Sequence, residues 1–206
     1  MRDVGAGQAR RPPYSVTCQL RGGVSRLRYA RMNTDHWQTE FRNLYDRGTL
    51  TWKRGRKTPD KMFNDADAAF LATIGCTRRE LFDFIDDEQR YGEPDFTTAL
   101  EVAAIRRDYF LNELGGKSTG RIISMDDLPP KKLEVDGIPW LPRIIEKART
   151  KLRGEMPDDL MYDCGGDRDF LRSVKMGAPQ FLKLVWECGN NDRRIIDAVK
   201  KSAGVA

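Results

Sequence analysis

Histidine is almost missing from this chain: His36 is the only one in 206 residues. A nucleophile that needs an imidazole base therefore has one residue to draw on, and a histidine-rich metal cage has none. The four cysteines, at 18, 76, 164 and 188, form no C-x-x-C pair, so the usual zinc spacing is missing as well. No metal and no cofactor is expected. Also missing are an apolar run of membrane length and the apolar stretch that a secretory signal would need after the first arginines. Free thiols without a secretory signal point to a reducing, cytoplasmic setting.

Charge is plentiful but unevenly spread. The chain carries 36 basic and 31 acidic side chains, a net +5. Seven arginines (2, 10, 11, 21, 26, 28 and 31) and one acid, Asp3, fall within residues 1–31. The other 175 residues hold 29 basic and 30 acidic side chains, so the part with a usable hydrophobic pattern is close to neutral. The basic pI of 9.1 belongs to the first segment, and a basic fold surface for nucleic acid is not expected.

Residues 1–31 show no periodicity and are expected to be a disordered basic segment. Met32, followed by the helix-start pattern Thr34-Asp35-His36-Trp37, reads as an alternative initiator; the other reading is a basic arm for polyanions. Residues 32–116 then read as an N-terminal helical half. Trp37, Phe41, Leu44 and Tyr45 recur at helical spacing, and Gly48 is expected to stop that helix. The basic stretch from Lys53 to Lys61 reads as a solvated loop. Asn64 caps a short helix reaching Ile74. Thr77-Arg78-Arg79-Glu80 is a capping box ahead of the apolar Leu81, Phe82, Phe84 and Ile85. Asp95 caps the helix expected to be the longest, roughly residues 96–114, whose two apolar stripes suit a spine packed on two sides. Gly115-Gly116-Lys117-Ser118 lacks the upstream glycine of a phosphate loop and reads as a helix end. Residues 117–139 form a mostly irregular connector, in which Pro129-Pro130 excludes helix. Residues 140–206 are a C-terminal helical half, with one helix to Leu152 and three shorter ones over 167–175, 179–188 and 191–202.

A shift of 100 positions overlays three blocks without a gap. Phe70-Leu71-Ala72-Thr73-Ile74 meets Phe170-Leu171-Arg172-Ser173-Val174, Leu81 to Ile85 meets Phe181 to Val185, and Leu44-Tyr45-Asp46-Arg47 meets Ile144-Ile145-Glu146-Lys147. Apolar meets apolar and charge sign meets charge sign, as duplication would leave them. The expected fold class is all-α: a compact helical unit of two related halves joined by a long central helix.

The stretch Asp127-Leu128-Pro129-Pro130, then Gly137-Ile138-Pro139-Trp140-Leu141-Pro142-Arg143 with Lys147-Ala148-Arg149, then Tyr162, Cys164, Asp167 and Phe170-Leu171, resembles a small bacterial helical domain numbered five-zero-six-nine among the domains of unknown function. The pattern L-P-R-x-x-x-K-x-R followed by C-x-x-D carries the resemblance, which covers residues 127–202. Glu146 replaces the family's Asp, and Cys164-Gly165-Gly166-Asp167 replaces its C-P-L-D. The resemblance implies a helical fold and a bacterial origin, and no activity.

If there is a functional site, these patterns place it at Arg143, Lys147, Tyr162, Cys164 and Asp167. Arg143 and Lys147 lie one helical turn apart and face the same way. The glycines of the Cys-Gly-Gly-Asp turn would let a ligand or a backbone come close. The competing reading is that Asp167 caps its own helix and that the two cations pair with Asp158, Asp159 or Asp163. No reaction can be assigned. The leading reading is a small cytosolic binding or interaction module with an unknown protein partner. The alternatives are a small-ligand or enzymatic domain near the Cys-Gly-Gly-Asp turn, and nucleic-acid binding through the basic segments. A deep pocket with clustered titratable groups would favour the ligand reading, and an exposed apolar patch the docking one.

Overall fold

The computed structural model describes residues 34–204, with side chains from residue 36. The basic segment 1–31 lies outside the described residues. Among those described are nine α-helices and one two-stranded hairpin, so the chain is all-α. In chain order the helices are α1 (Thr34–Lys53), α2 (Pro59–Met62), α3 (Asp65–Thr73), α4 (Arg78–Tyr91), α5 (Phe96–Asn112), α6 (Leu141–Arg153), α7 (Gly165–Ser173), α8 (Ala178–Cys188) and α9 (Asp192–Ala203).

Local chemistry explains most helix starts. Asn64 and Asp67 form a reciprocal capping box on α3, and Thr77 and Glu80 form another on α4. Asp95 accepts from the Thr98 N–H at 2.8 Å at the head of α5. Each cap satisfies backbone donors that the first helical turn leaves free.

Gly48 departs from expectation. It sits inside α1, which runs on to Lys53 and is, at 20 residues, longer than α5 at 17. A Cβ at Gly48 would stand 2.7 Å from Ile85 Cδ1 and 3.0 Å from Phe63 Cζ. The glycine is there for close packing of α1 on α4, and its helix-breaking tendency, about 1 kcal/mol, is overridden by burial on both sides.

The connector contains a feature that the pattern did not predict. Glu134–Val135 pairs antiparallel with Ile138–Pro139. Asp136 and Gly137 both have positive φ, at 51° and 73°, the geometry of a two-residue hairpin turn. A 3-10 turn, Met125–Asp127, precedes it. Ile123 and Leu128 pack with Leu160 in a small satellite core.

One hydrophobic core runs from Trp37 to Val199. At its middle, α5 packs on α6 and α8, and α8 in turn on α6, α7 and α9. Ala99, Val102, Ala103, Arg106 and Phe110 are the buried residues of α5. The element boundaries repeat the 100-residue offset: α3 and α7 share both ends, α4 and α8 begin at Arg78 and Ala178, and α1 and α6 end at Lys53 and Arg153. The paired positions Leu71 and Leu171, Ile74 and Val174, and Ile85 and Val185 are all buried. Small residues also coincide, Gly48 with Ala148.

Gly48→Val should destabilise the fold by about 1–3 kcal/mol, because the new methyls meet Ile85 and Phe63 with no room to retreat. Urea unfolding followed by circular dichroism reads this directly. A neutral result would mean that the α1–α4 contact is looser than described.

Candidate functional site

The helix α6 carries a row of buried cations. Arg143, Lys147 and Lys151 are spaced i, i+4, i+8 and so lie on one face, and all three are buried. Each reaches a different element. Arg143 Nη1 donates to the Pro129 carbonyl in the connector at 2.8 Å. Lys147 Nζ is bonded to Asp167 Oδ2 on α7. Lys151 Nζ donates to Glu80 Oε1 on α4 at 2.7 Å. Glu80 is raised by burial but pulled further down by Lys151, so its carboxyl lies below its ordinary value.

Of the five residues singled out by sequence, three come together. Lys147, at 2% exposure, contacts both Asp167, at 0%, and Cys164, with Nζ donating to Sγ at 3.3 Å. Trp140 joins them, its indole N–H donating to Asp167 Oδ1 at 3.0 Å. The Asp163 backbone N–H donates to Asp167 Oδ2 at 3.0 Å. Asp167 therefore does not cap its own helix, and Lys147 pairs with Asp167 rather than with Asp158, Asp159 or Asp163. Arg143 and Tyr162 point elsewhere. Tyr162 is fully enclosed, its hydroxyl donating to the Ala178 carbonyl at 2.9 Å.

Gly165 and Gly166 form the first turn of α7 rather than a loop before it. A Cβ on Gly166 would lie 2.8 Å from Trp140 Cζ2. The close approach that this glycine permits is made by an indole ring, not by a ligand. The same clamp recurs 100 positions earlier: Arg47 holds Asp67 through two bonds of 3.1 and 2.7 Å, and Asp67 Oδ2 also accepts from the Asn64 N–H at 2.9 Å. A lysine or arginine gripping a buried aspartate 20 residues further on is thus a device of both parts of the chain.

The concave surface lies beside this cluster, along α4. Two adjoining cavities of about 510 and 430 Å³ share Arg79, Asp83 and Asp158 in their walls. The larger is acidic, lined by Asp86, Asp87, Glu93 and Asp169 together with Cys164. The smaller is bounded by α3, α4, α5 and the turns after α5 and α6, with Phe110, Met156 and Leu160 as apolar wall. On its floor lies Arg106, only 2% exposed, its guanidinium 5.4 Å from the centre of the Phe110 ring. Neither Nε nor Nη1 of Arg106 has a hydrogen-bond partner. Sequence reasoning placed residue 106 on the spine helix without singling it out; an arginine between the apolar Ala103 and Phe110 was the available signal.

Two buried carboxyls are perturbed, Asp83 in the shared wall and Asp163 in the turn before α7. Burial pushes Asp83 up to about 7 against the pull of Arg79, whose Nε is 2.9 Å away. Asp163, 2% exposed and in left-handed backbone at φ 69°, has no hydrogen-bond partner at Oδ2. Burial pushes it also to about 7, with Arg168 opposing. Among the described residues no group of three or more His, Cys, Asp or Glu is arranged to hold a metal ion, and no helix is long and apolar enough to cross a membrane.

Residues 128–205 match the family model described as Domain of unknown function (DUF5069). No curated protein matches. No solved structure matches.

Lys147→Met should cost about 3–5 kcal/mol, because it leaves Asp167 charged, buried and uncompensated. Adding Asp167→Asn should recover much of that in urea unfolding; a double variant as unstable as the single one would show that the two residues are not coupled. Asp163 supplies a pH test. Its carboxyl moves from 3.8 to about 7 on folding, so the folded chain holds the extra proton between those values and stability is lost as pH rises through them. Asp163→Asn, an amide tolerant of left-handed backbone, should raise the melting temperature at pH 8 and lose that advantage toward pH 4. An advantage constant across this range would mean that the carboxyl is not its cause.

Proposed function

We propose that this chain, whose residues 128–205 form a DUF5069 domain, is a small-ligand-binding protein whose site is the cleft along α4. The observation that carries this reading is the cleft itself: two adjoining cavities of about 510 and 430 Å³ with a shared charged wall. A concave site with an apolar wall and a few converging polar groups is the usual form of a small-molecule site. The larger exposed apolar side chains, by contrast, are distributed over α1 (Leu50), α4 (Tyr91), α5 (Leu111) and the connector (Ile122, Met125, Leu133), which gives a docking role less support. The basic loop after α1 is exposed, and its Lys57 stacks on Trp52 at 3.8 Å, as a solvated lysine does. The cysteines at 76, 164 and 188 are free, in keeping with a reducing compartment such as the cytoplasm.

We also infer that the chain arose by internal duplication, with halves at 32–116 and 140–206 joined by the connector 117–139. The equal element spacing and the repeated Arg47–Asp67 and Lys147–Asp167 clamps support it. A clamp kept in both halves serves the fold of each. Lys147 and Asp167 therefore act by holding α7, which lends Gly165, Arg168 and Asp169 to the wall of the acidic cavity, and Cys164, which lines that cavity, is the member of the cluster within reach of a ligand. Arg143 and Tyr162 serve the fold, bonding to the Pro129 and Ala178 carbonyls.

Ala72 is exposed on α3 and lines the smaller cavity, so Ala72→Trp should fill it from a rigid helix without touching the core. Thermal-shift measurements with mono- and dicarboxylates, nucleotides and amines are expected to find a compound that raises the melting temperature of the wild type and not that of Ala72→Trp. Equal responses in both proteins would move the site away from the smaller cavity.

A further inference from the structure

We infer that Arg106 is the anchor of an oxyanion site, so that the molecule bound in the cleft carries a carboxylate or phosphate group on a partly apolar body. This rests on the ligand-binding reading of the cleft and specifies the chemistry of its occupant. Arg106 is 2% exposed and lines the cavity of about 430 Å³. Its Nε and Nη1 have no hydrogen-bond partner, and no carboxylate among the described residues is within ion-pair distance of it. A buried guanidinium normally has both. The other charged groups of the same wall are already paired. Glu80 accepts from Lys151 at 2.7 Å, and Asp83 faces Arg79 Nε at 2.9 Å, while Asp158 stands exposed. Arg106 makes no ion pair of its own, and its charge reaches Glu80 only at longer range.

The guanidinium lies directly against two glycines, where any side chain would displace it. Gly75 and Gly154, just beyond the ends of α3 and α6, take left-handed conformations at φ 70° and 68°. A Cβ on Gly75 would stand 3.1 Å from Nη1, and one on Gly154 would overlap Nη2. The carbonyl ends of two helices help to hold a cation there, but they leave its N–H groups unused. A planar fork of donors with no acceptor matches the paired oxygens of a carboxylate or phosphate. Thr77 and Ser118 line the same cavity, and Phe110, Ile122, Met156 and Leu160 supply the apolar surface for the remainder of the molecule. The short polar reach and the apolar wall favour a small acid over a polyanion.

The test compares wild type, Arg106→Gln, Arg106→Lys and Ala72→Trp by thermal shift and titration calorimetry. The probes are inorganic phosphate, butyrate and, as a cation control, butylammonium, all at one ionic strength held with chloride. Phosphate or butyrate should stabilise the wild type and butylammonium should not; which anion acts tells phosphate from carboxylate. Arg106→Gln should weaken that anion at least tenfold, Arg106→Lys should weaken it less, and Ala72→Trp should abolish it. If Arg106→Gln does not fold, the Arg106→Lys and Ala72→Trp arms decide. A guanidinium that only neutralises helix ends would lower the basal melting temperature of Arg106→Gln and leave the anion response intact, which overturns the inference. Butylammonium binding that Ala72→Trp blocks would overturn the anion assignment and keep the cleft. Anion binding that Ala72→Trp leaves unchanged would place the anion outside the smaller cavity and overturn the Arg106 site, as would a wild type that answers to none of the three probes.

Discussion

Asp167 has no exposed surface, so its carboxylate must find every partner inside the protein. It finds three: the Lys147 ammonium, the Trp140 indole and the Asp163 backbone N–H. These partners come from the start of α6, the middle of α6 and the turn before α7. Satisfying one buried charge thus fixes the angle between α6 and α7 and the seat of Trp140. The glycine at 166 follows from the same constraint, since any larger residue would collide with the indole. Burial raises the stakes on both sides: the paired charges hold only while every partner is in place.

The row of cations on α6 extends this logic beyond the C-terminal part. Arg143 gathers the connector, Lys147 gathers α7, and Lys151 crosses to Glu80 on α4. Glu80 is also the capping residue of α4, so a single carboxylate both starts that helix and ties it to α6. Further crossings, Arg168 to Asp87 at 3.0 Å and Arg172 to Glu93 at 2.9 Å, close the far end of the acidic cavity. The cleft is therefore walled largely by charges neutralised to hold the fold, and Arg106 stands out against that background.

Burial also explains why the candidate site drawn from sequence and the cleft overlap only in part. Lys147, Cys164 and Asp167 were legible together because the C-x-x-D spacing and the helical turn between Arg143 and Lys147 are short-range patterns. Their role was not legible, because it depends on Trp140 entering from 27 residues upstream of Asp167. Arg106 was hidden for a related reason. A lone arginine on an amphipathic helix is ordinarily a surface residue whose stem covers apolar neighbours, and only the two helix ends arriving at Gly75 and Gly154 bury it.

The amino-acid sequence by itself determined the helical class, the caps at Asn64, Thr77 and Asp95, the apolar faces of each helix and the 100-residue echo. Those depend on side-chain periodicity and on hydrogen bonds spanning three or four residues, which are properties of a short segment. Tertiary structure decided what distant segments do to one another. It kept α1 continuous through Gly48, because Ile85 and Phe63 need the space that a side chain would take. It gave each cation of α6 a different partner, and it left Arg106 buried with donors unmet. Each of these outcomes depends on which surfaces share one core, and residues 14 to 71 positions apart meet there only once the chain has folded.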